Sequence, residues 1–314
     1  MNLLSKLSVS ALALSVVACA GEETAPAAPE AVVAAEPAAE PAAADAEAPE
    51  VMPEDVLAFD IGEINALALT DGQFTMPVDQ SPFGAQPLED VVEALDDAGL
   101  ESDTLSLSLH PMLLDGTILF DTGTGGPPAG GLMTSLSESG VDPADITDIF
   151  ISHSHFDHVG GLITSEGEPA FPNATVRMSV EEWNFMQTNE EQAAIVAAVS
   201  PMVETFEAGT VDILPGITSL DTHGHTPGHS GFRIASGDET LLYVGDSMHH
   251  FVLSVGHPGW TIAFDMNEPV ARESREALLA ELAETGETIF AYHFPFPGIG
   301  HIETSDDGFV FVED

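Results

Sequence analysis

His153-Ser154-His155-Phe156-Asp157-His158 puts three imidazoles and a carboxylate in one short segment, after the apolar run Ile146–Ser152 and before Gly160-Gly161. On an extended chain, side chains two apart face the same way, so His153 and His155 can grip one metal ion. Asp157 and His158 follow at a turn that the glycines permit, and can reach a second ion. Imidazole and carboxylate suit zinc, and manganese, cobalt and iron fit the same set. A structural zinc would need a closed shell of four ligands, whereas this mixed set leaves positions open for water.

The pattern extends outward along the chain. Thr117–Phe120 runs into Asp121, Ile146–Ser152 into His153, Leu241–Val244 into Gly245-Asp246, and Thr288–Tyr292 into His293. Each apolar run reads as a buried strand with a chemically active residue at its C-terminal end, the edge where sites gather in α/β proteins. Leu105–Leu109 and Thr175–Met178 read as further strands. Helical patterns lie between: Leu88–Ala98, a capping box Ser179-x-x-Glu182 opening a helix to Met186, Glu190–Val199, and Val270–Glu284 after Pro269. The class is α/β. His223-Gly224-His225-Thr226-Pro227-Gly228-His229 forms a rigid loop ending in His229, a further imidazole ligand. Asp246 can bridge two ions, and His293 completes the set. Two ions about 4 Å apart would share a hydroxide as nucleophile.

Composition narrows the partners. Against 53 Asp and Glu the chain has 5 Lys and Arg, for a formal charge of −48. Nucleic acid and anionic lipid headgroups are excluded as partners of a surface without clustered cations. One cysteine excludes an intrachain disulfide framework and Cys-rich metal clusters. That cysteine closes Val16-Val17-Ala18-Cys19, after Lys6 and an apolar run too short to span a bilayer. The segment resembles a bacterial lipobox, which implies a signal peptide over 1–19 and a lipid on Cys19. Ala20 in place of Asp then points to a periplasmic protein tethered to the outer membrane. Residues 20–53 are Ala-, Pro- and Glu-rich, a disordered tether that at ~3.1 Å per residue reaches about 100 Å. Residues 54–314 form a single globular domain.

His153-x-His155-x-Asp157-His158, Gly224-His225-Thr226-Pro227-Gly228-His229, Gly245-Asp246 and Tyr292-His293 together resemble the metallo-β-lactamase-fold hydrolases, in that order. The resemblance implies a four-layer αβ/βα sandwich with two divalent ions, zinc first among them, at one edge. It assigns His153, His155 and His229 to one ion, Asp157, His158 and His293 to the other, and Asp246 as the bridge. Asp121 would orient a ligand from behind. His250, Phe156, Trp183 and Trp260 are candidates to line or support the substrate pocket.

Leu109-His110-Pro111, Gly245-Asp246-Ser247-Met248-His249-His250, His257-Pro258-Gly259-Trp260 and His293-Phe294-Pro295-Phe296-Pro297 bring the chain nearest to the secreted lactonase and methyl parathion hydrolase-like subgroup. His155 stands where the diiron electron-transfer branch carries Glu. The expected reaction is hydrolysis of a small neutral or weakly polar ester, a lactone or aryl ester, by a metal-bridging hydroxide, with Asp157 handling the proton. The alternatives are an organophosphate hydrolase, a thioester hydrolase and a non-catalytic metal-binding lipoprotein. The resemblance also carries a homodimer.

Overall fold

Tyr243 and Leu241 project to one side of their strand, Leu242 and Val244 to the other, and all four are buried. A strand apolar on both faces must sit between two layers. The computed structural model describes residues 55–126, 130–306 and 308–314, all within one compact unit. The predicted signal 1–19 with Cys19, the tether 20–53 and residue 54 lie outside the described residues. Among the described residues no helix is long and apolar enough to cross a membrane.

The first half contains strands β1 (Val56–Ile61), β2 (Ile64–Leu69), β3 (Gly72–Pro77), β4 (Thr104–Leu109), β5 (Met112–Leu114), β6 (Ile118–Phe120), β7 (Asp148–Phe150), β8 (Thr175–Ser179) and β9 (Val203–Phe206). Its helices are α1 (Leu88–Asp97), α2 (Leu132–Glu138), α3 (Phe156–Val159), α4 (Val180–Met186) and α5 (Ala193–Val199). The second half adds β10 (Ile217–Asp221), β11 (Ser230–Ser236), β12 (Glu239–Tyr243), β13 (Thr288–Phe290), β14 (Ile299–Thr304) and β15 (Phe309–Glu313), with α6 (Leu253–Gly256) and α7 (Glu268–Thr285).

Two sheets result, ordered β1-β2-β5-β6-β7-β8-β9 and β10-β11-β12-β13-β14-β15, with β3 and β4 as a separate pair. In the first sheet β6, β7, β8 and β9 run parallel; in the second β12 and β13 do, joined by the crossover through α7. Phe120 and Phe150 from one sheet pack on Phe232, Tyr243 and Phe290 from the other, with ring centroids of Phe120–Phe150 and Phe150–Phe232 both at 5.2 Å. Aromatic pairs of this kind contribute ~0.5–1.5 kcal/mol each beyond their buried area. On the outer face of the first sheet Ile149, Ile151 and Val176 meet Leu132, Leu136, Met186 and Ile195 from α2, α4 and α5. On the outer face of the second, Leu242, Val244 and Ile289 meet Leu278, Leu279 and Leu282 from α7. The layers therefore run helix, sheet, sheet, helix, the expected αβ/βα sandwich.

Ile146–Ser152 contracts to β7. Ile151 N still donates to Arg177 O of β8 (2.9 Å), but the Ser152 amide turns to Asp121 Oδ1 (2.8 Å) and leaves the ladder. The histidine segment is therefore a loop, with His155 in extended backbone immediately before α3.

Candidate metal centre

The loop Ser152–His158 is held by its own backbone. His158 donates its amide to His155 O (3.0 Å), and Thr122 donates to His158 O (2.8 Å). Gly161 lies so near the preceding segment that a Cβ there would fall 1.9 Å from Thr122 O, so no other residue fits. Opposite, β12 ends in a turn at Gly245–Ser247, where Gly245 takes φ 51 and a Cβ would meet His229 Nε2 at 2.8 Å. That turn delivers Asp246, and β13 runs on to His293.

Asp246 is the centre of the arrangement. Its Oδ1 lies 3.2 Å from His158 Nε2 and 3.2 Å from His293 Nε2. Its Oδ2 lies 3.3 Å from His225 Nε2 and 3.5 Å from His153 Nε2. One carboxylate thus addresses four imidazoles, His158 through Oδ1, His225 and His153 through Oδ2, and His293 through both, its Nε2 also lying 3.3 Å from Oδ2. His153, His155, His225 and Asp246 bring their ligand atoms within 4.8 Å of one another, as do Asp157, His158 and His293. His155 Nδ1 is 3.0 Å from His153 Nε2 and 2.9 Å from His225 Nε2. Three ring nitrogens aimed at one point need protons or a cation between them. Asp246 Oδ1 and His158 Nε2 are buried with no hydrogen-bond partner. The donor set and these orphaned atoms fit two divalent ions such as zinc.

The ligands are braced from behind. Asp121 takes the left-handed φ 57 and accepts from His158 Nδ1 (2.7 Å), Tyr243 Oη (2.8 Å) and Ser152 Oγ (2.7 Å). His293 Nδ1 donates to Ser108 O (2.8 Å), and His225 Nδ1 lies 2.9 Å from Asp265 Oδ1. In each case Nε2 is left facing the centre.

Charge follows the same geometry. Burial drives His153 well below its ordinary value, with His158 adding to the effect, and drives His155 to about 3 with His225 adding. Burial also opposes protonation of His158, but Asp246, Asp121 and Asp157 outweigh it and raise that imidazole. His225 rises to about 9 against burial, through Asp246 and Asp265. Asp246 stays well below the carboxylate range despite burial because His293, His158 and His153 surround it.

Of the predicted ligands, His153, His155, Asp157, His158, Asp246 and His293 come together here, whereas His229 does not. Both its nitrogens are engaged: Nδ1 with Thr222 Oγ1 (2.8 Å), Nε2 with the Asp246 amide (2.9 Å). His225, four residues earlier, faces the centre instead. The loop reverses within Thr226-Pro227-Gly228, so its two histidines serve different layers, and spacing alone leaves the choice between them open. His229 holds the Asp246 turn.

Phe156, 61% exposed, lies on the rim of a cavity of about 640 Å³ that opens onto Asp157, Asp246 and His293. Gln73, Phe74, Thr75, Met76, Leu107 and Phe264 form its walls, and among the described residues no Lys or Arg lines it. Three predicted pocket residues lie elsewhere. His250 Nδ1 accepts from the Val252 and Leu253 amides (3.2 Å each) and so caps α6. Trp183 packs on the helical face of the first sheet, and Trp260 stacks on His257 (centroids 4.1 Å).

Sequence reading singled out His249 within the Gly245–His250 motif, as a pocket residue and not a ligand; it is buried against the cavity with no hydrogen bond on either ring nitrogen and Nε2 3.2 Å from Asp246 Oδ2. Sequence reading missed Glu182. Ser179 Oγ accepts from the Glu182 amide (3.1 Å), as a capping box requires, but the Glu182 side chain turns away from the helix. Its Oε1 accepts from Ser154 N (2.7 Å) and Ser154 Oγ (2.6 Å), and its Oε2 from Thr226 Oγ1 (2.7 Å) and Gly228 N (3.0 Å). This buried carboxylate ties the two histidine loops together.

Residues 113–293 match the metallo-beta-lactamase superfamily. The chain belongs to that superfamily. An N-acyl homoserine lactonase of Bacillus cereus is 32% identical over 111 residues, 35% of this chain and 42% of that protein, so the chain matches less than half the length of this curated relative. A solved structure of AidC, a dizinc quorum-quenching lactonase in complex with a product, is 27% identical with a TM-score of 0.77, over 82% of this chain and 97% of that one. The solved hydrolase AbOPH is 27% identical with a TM-score of 0.74, over 83% and 97%.

Proposed function

We propose that the protein is a metal-dependent hydrolase that holds two divalent ions, zinc by preference, and opens a lactone. The observation that carries this reading is Asp246, a buried residue lining the cavity whose carboxylate lies within 3.5 Å of His153, His158, His225 and His293. When bound, such ions supply Lewis acidity, which activates water and polarises an ester carbonyl. His153, His155 and His225 would hold one, Asp157, His158 and His293 the other, with Asp246 between them.

The chain's own residues supply the rest. Phe74, Met76, Leu107 and Phe264 bury an apolar substituent, and a cavity with no Lys or Arg among its described lining residues favours a neutral ester over an anionic one. Asp157 Oδ2, 3.6 Å from His293 Nε2, belongs to a side chain still 18% exposed. Asp157 takes a proton from the attacking water as oxygen adds to the carbonyl carbon, then gives it to the ring oxygen as the carbon–oxygen bond breaks. The product is the hydroxy acid. Similarity to dizinc and Bacillus lactonases supports a lactone as the ester.

The lack of Lys and Arg among the described lining residues equally favours a second reading, a phosphotriester hydrolase of the methyl parathion hydrolase-like subgroup, since such a substrate is also uncharged. A glutathione thioester is disfavoured because it is anionic. Lipidation at Cys19 and the tether over 20–53 would hold the domain in the periplasm.

The test sets hydrolysis of a lactone, an aryl ester and a dimethyl phosphotriester by zinc-loaded protein side by side. A lactone kcat/KM at least tenfold above the others is the expected result. A phosphotriester in front transfers the assignment to the second reading, and no turnover with both zincs bound overturns both.

A further inference from the structure

Between α6 and α7, residues 257–267 form a segment outside regular structure. Two neighbours on it face opposite ways. Phe264 is half exposed and forms a wall of the cavity. Asp265 is 6% exposed and turns inward, with Oδ1 2.9 Å from His225 Nδ1. The segment is sewn to the His225 loop by backbone as well: Met266 N donates to His225 O (3.0 Å) and Asn267 N to Gly224 O (3.0 Å).

Behind Asp265 stands Arg275 of α7, 2% exposed. Its Nε donates to Pro258 O (3.0 Å), its Nη2 to Trp260 O (2.7 Å), and its Nη1 faces Asp265 Oδ2 at 3.6 Å. That oxygen is buried and has no hydrogen-bond partner. A buried guanidinium must be matched by partners, and this chain has few cations to bury. The match is twofold: two backbone carbonyls of the segment and the carboxylate that touches His225.

We infer that Asp265 and Arg275 are positioning residues of the metal centre, an inference that rests on the reading of His225 as a ligand. Asp265 accepts the Nδ1 proton of His225 and so commits Nε2, with its lone pair, to the ion. Arg275 fixes the backbone on which Asp265 is carried. Because Phe264 rides on the same segment, one element sets both a ligand's orientation and a wall of the substrate cavity. A change in that wall is transmitted to the ion through Asp265.

Two measurements test this. Long-range proton–nitrogen NMR of the zinc-loaded wild-type protein should show His225 protonated at Nδ1; protonation at Nε2 overturns the inference. Zinc affinity by chelator competition, with the visible spectrum of the cobalt form, should show Asp265→Ala weakening one of the two ions by about 10- to 100-fold and altering the spectrum. Asp265→Asn, whose amide oxygen still accepts, should lose less. Arg275→Met should weaken the same ion and spare the other. Unchanged affinity and spectrum for both ions in a folded Asp265→Ala overturn the inference; if that variant does not fold, Asp265→Asn and the wild-type tautomer decide. Neither readout depends on substrate. Absence of hydrolysis by doubly loaded wild-type protein therefore refutes the proposed function without touching this inference.

Discussion

Replacing Glu182 by alanine tests how the centre is assembled. Glu182 is fully buried, and among the described residues it has no ion-pair partner; its neutral donors come from Ser154, Thr226 and Gly228. Removing the side chain strands four donors. The hydroxyls of Ser154 and Thr226 can rotate, but the amides of Ser154 and Gly228 cannot. A buried donor left without a partner costs ~1–3 kcal/mol, so two cost about 4 kcal/mol, offset in part because a buried carboxylate is also removed. At ~2–4 °C per kcal/mol for a domain of this size, Tm should fall by roughly 8–16 °C. Since Ser154 lies between His153 and His155, and Thr226 follows His225, the same change should loosen three ligands of one ion. Thermal unfolding with and without zinc, plus chelator competition, measures both effects. Glu182→Gln should lie between, because one amide NH2 must face donors. A Glu182→Ala protein that melts within about 2 °C of wild type and keeps both zinc affinities would refute the reasoning.

Further expectations follow from particular residues. His225→Ala should lose one of two zinc equivalents by elemental analysis, whereas His229→Ala should keep both at reduced affinity, because His229 braces only the Asp246 backbone. With His225 raised to about 9 in the metal-free protein, zinc must displace a proton at pH 7, so its affinity should rise up to about pH 9 and calorimetric heats should depend on the buffer. His110, lowered to about 4 by burial, binds a proton more readily unfolded than folded. Its folded value lies below the unfolded 6.5, so stability is full above pH 6.5 and falls as pH drops toward 4, on the order of 3 kcal/mol in all. His110→Gln, which keeps a donor for Phe294 O, should flatten that part of the Tm-against-pH curve.

The segment 153–158, with the runs that end in Asp121, Asp246 and His293, was legible in the sequence because strand ends and ligand chemistry coincide there. Local patterns placed α1, α4 and α7 closely. The strands β1, β2, β3, β5, β9, β10, β11, β14 and β15 were not anticipated. Burial along them follows no clean alternation of apolar and polar residues, with Leu57 and Ala58 of β1 and Val310 of β15 exposed, so no local signal separates them from loops.

What the sequence determined by itself is the donor inventory and its order: imidazoles, Asp157 and Asp246, each placed after an apolar run, in a chain too acidic for an anionic partner. Tertiary structure decided which donors meet. Whether His225 or His229 faces the centre depends on how the Thr226–Gly228 turn packs on Glu182. Glu182 looked like a helix cap until two loops closed over it, and nothing in the local sequence marks Arg275 for burial beside Asp265. Spacing along a chain constrains only near neighbours, whereas these contacts join residues 10 to 46 positions apart, and only the packed layers bring them together.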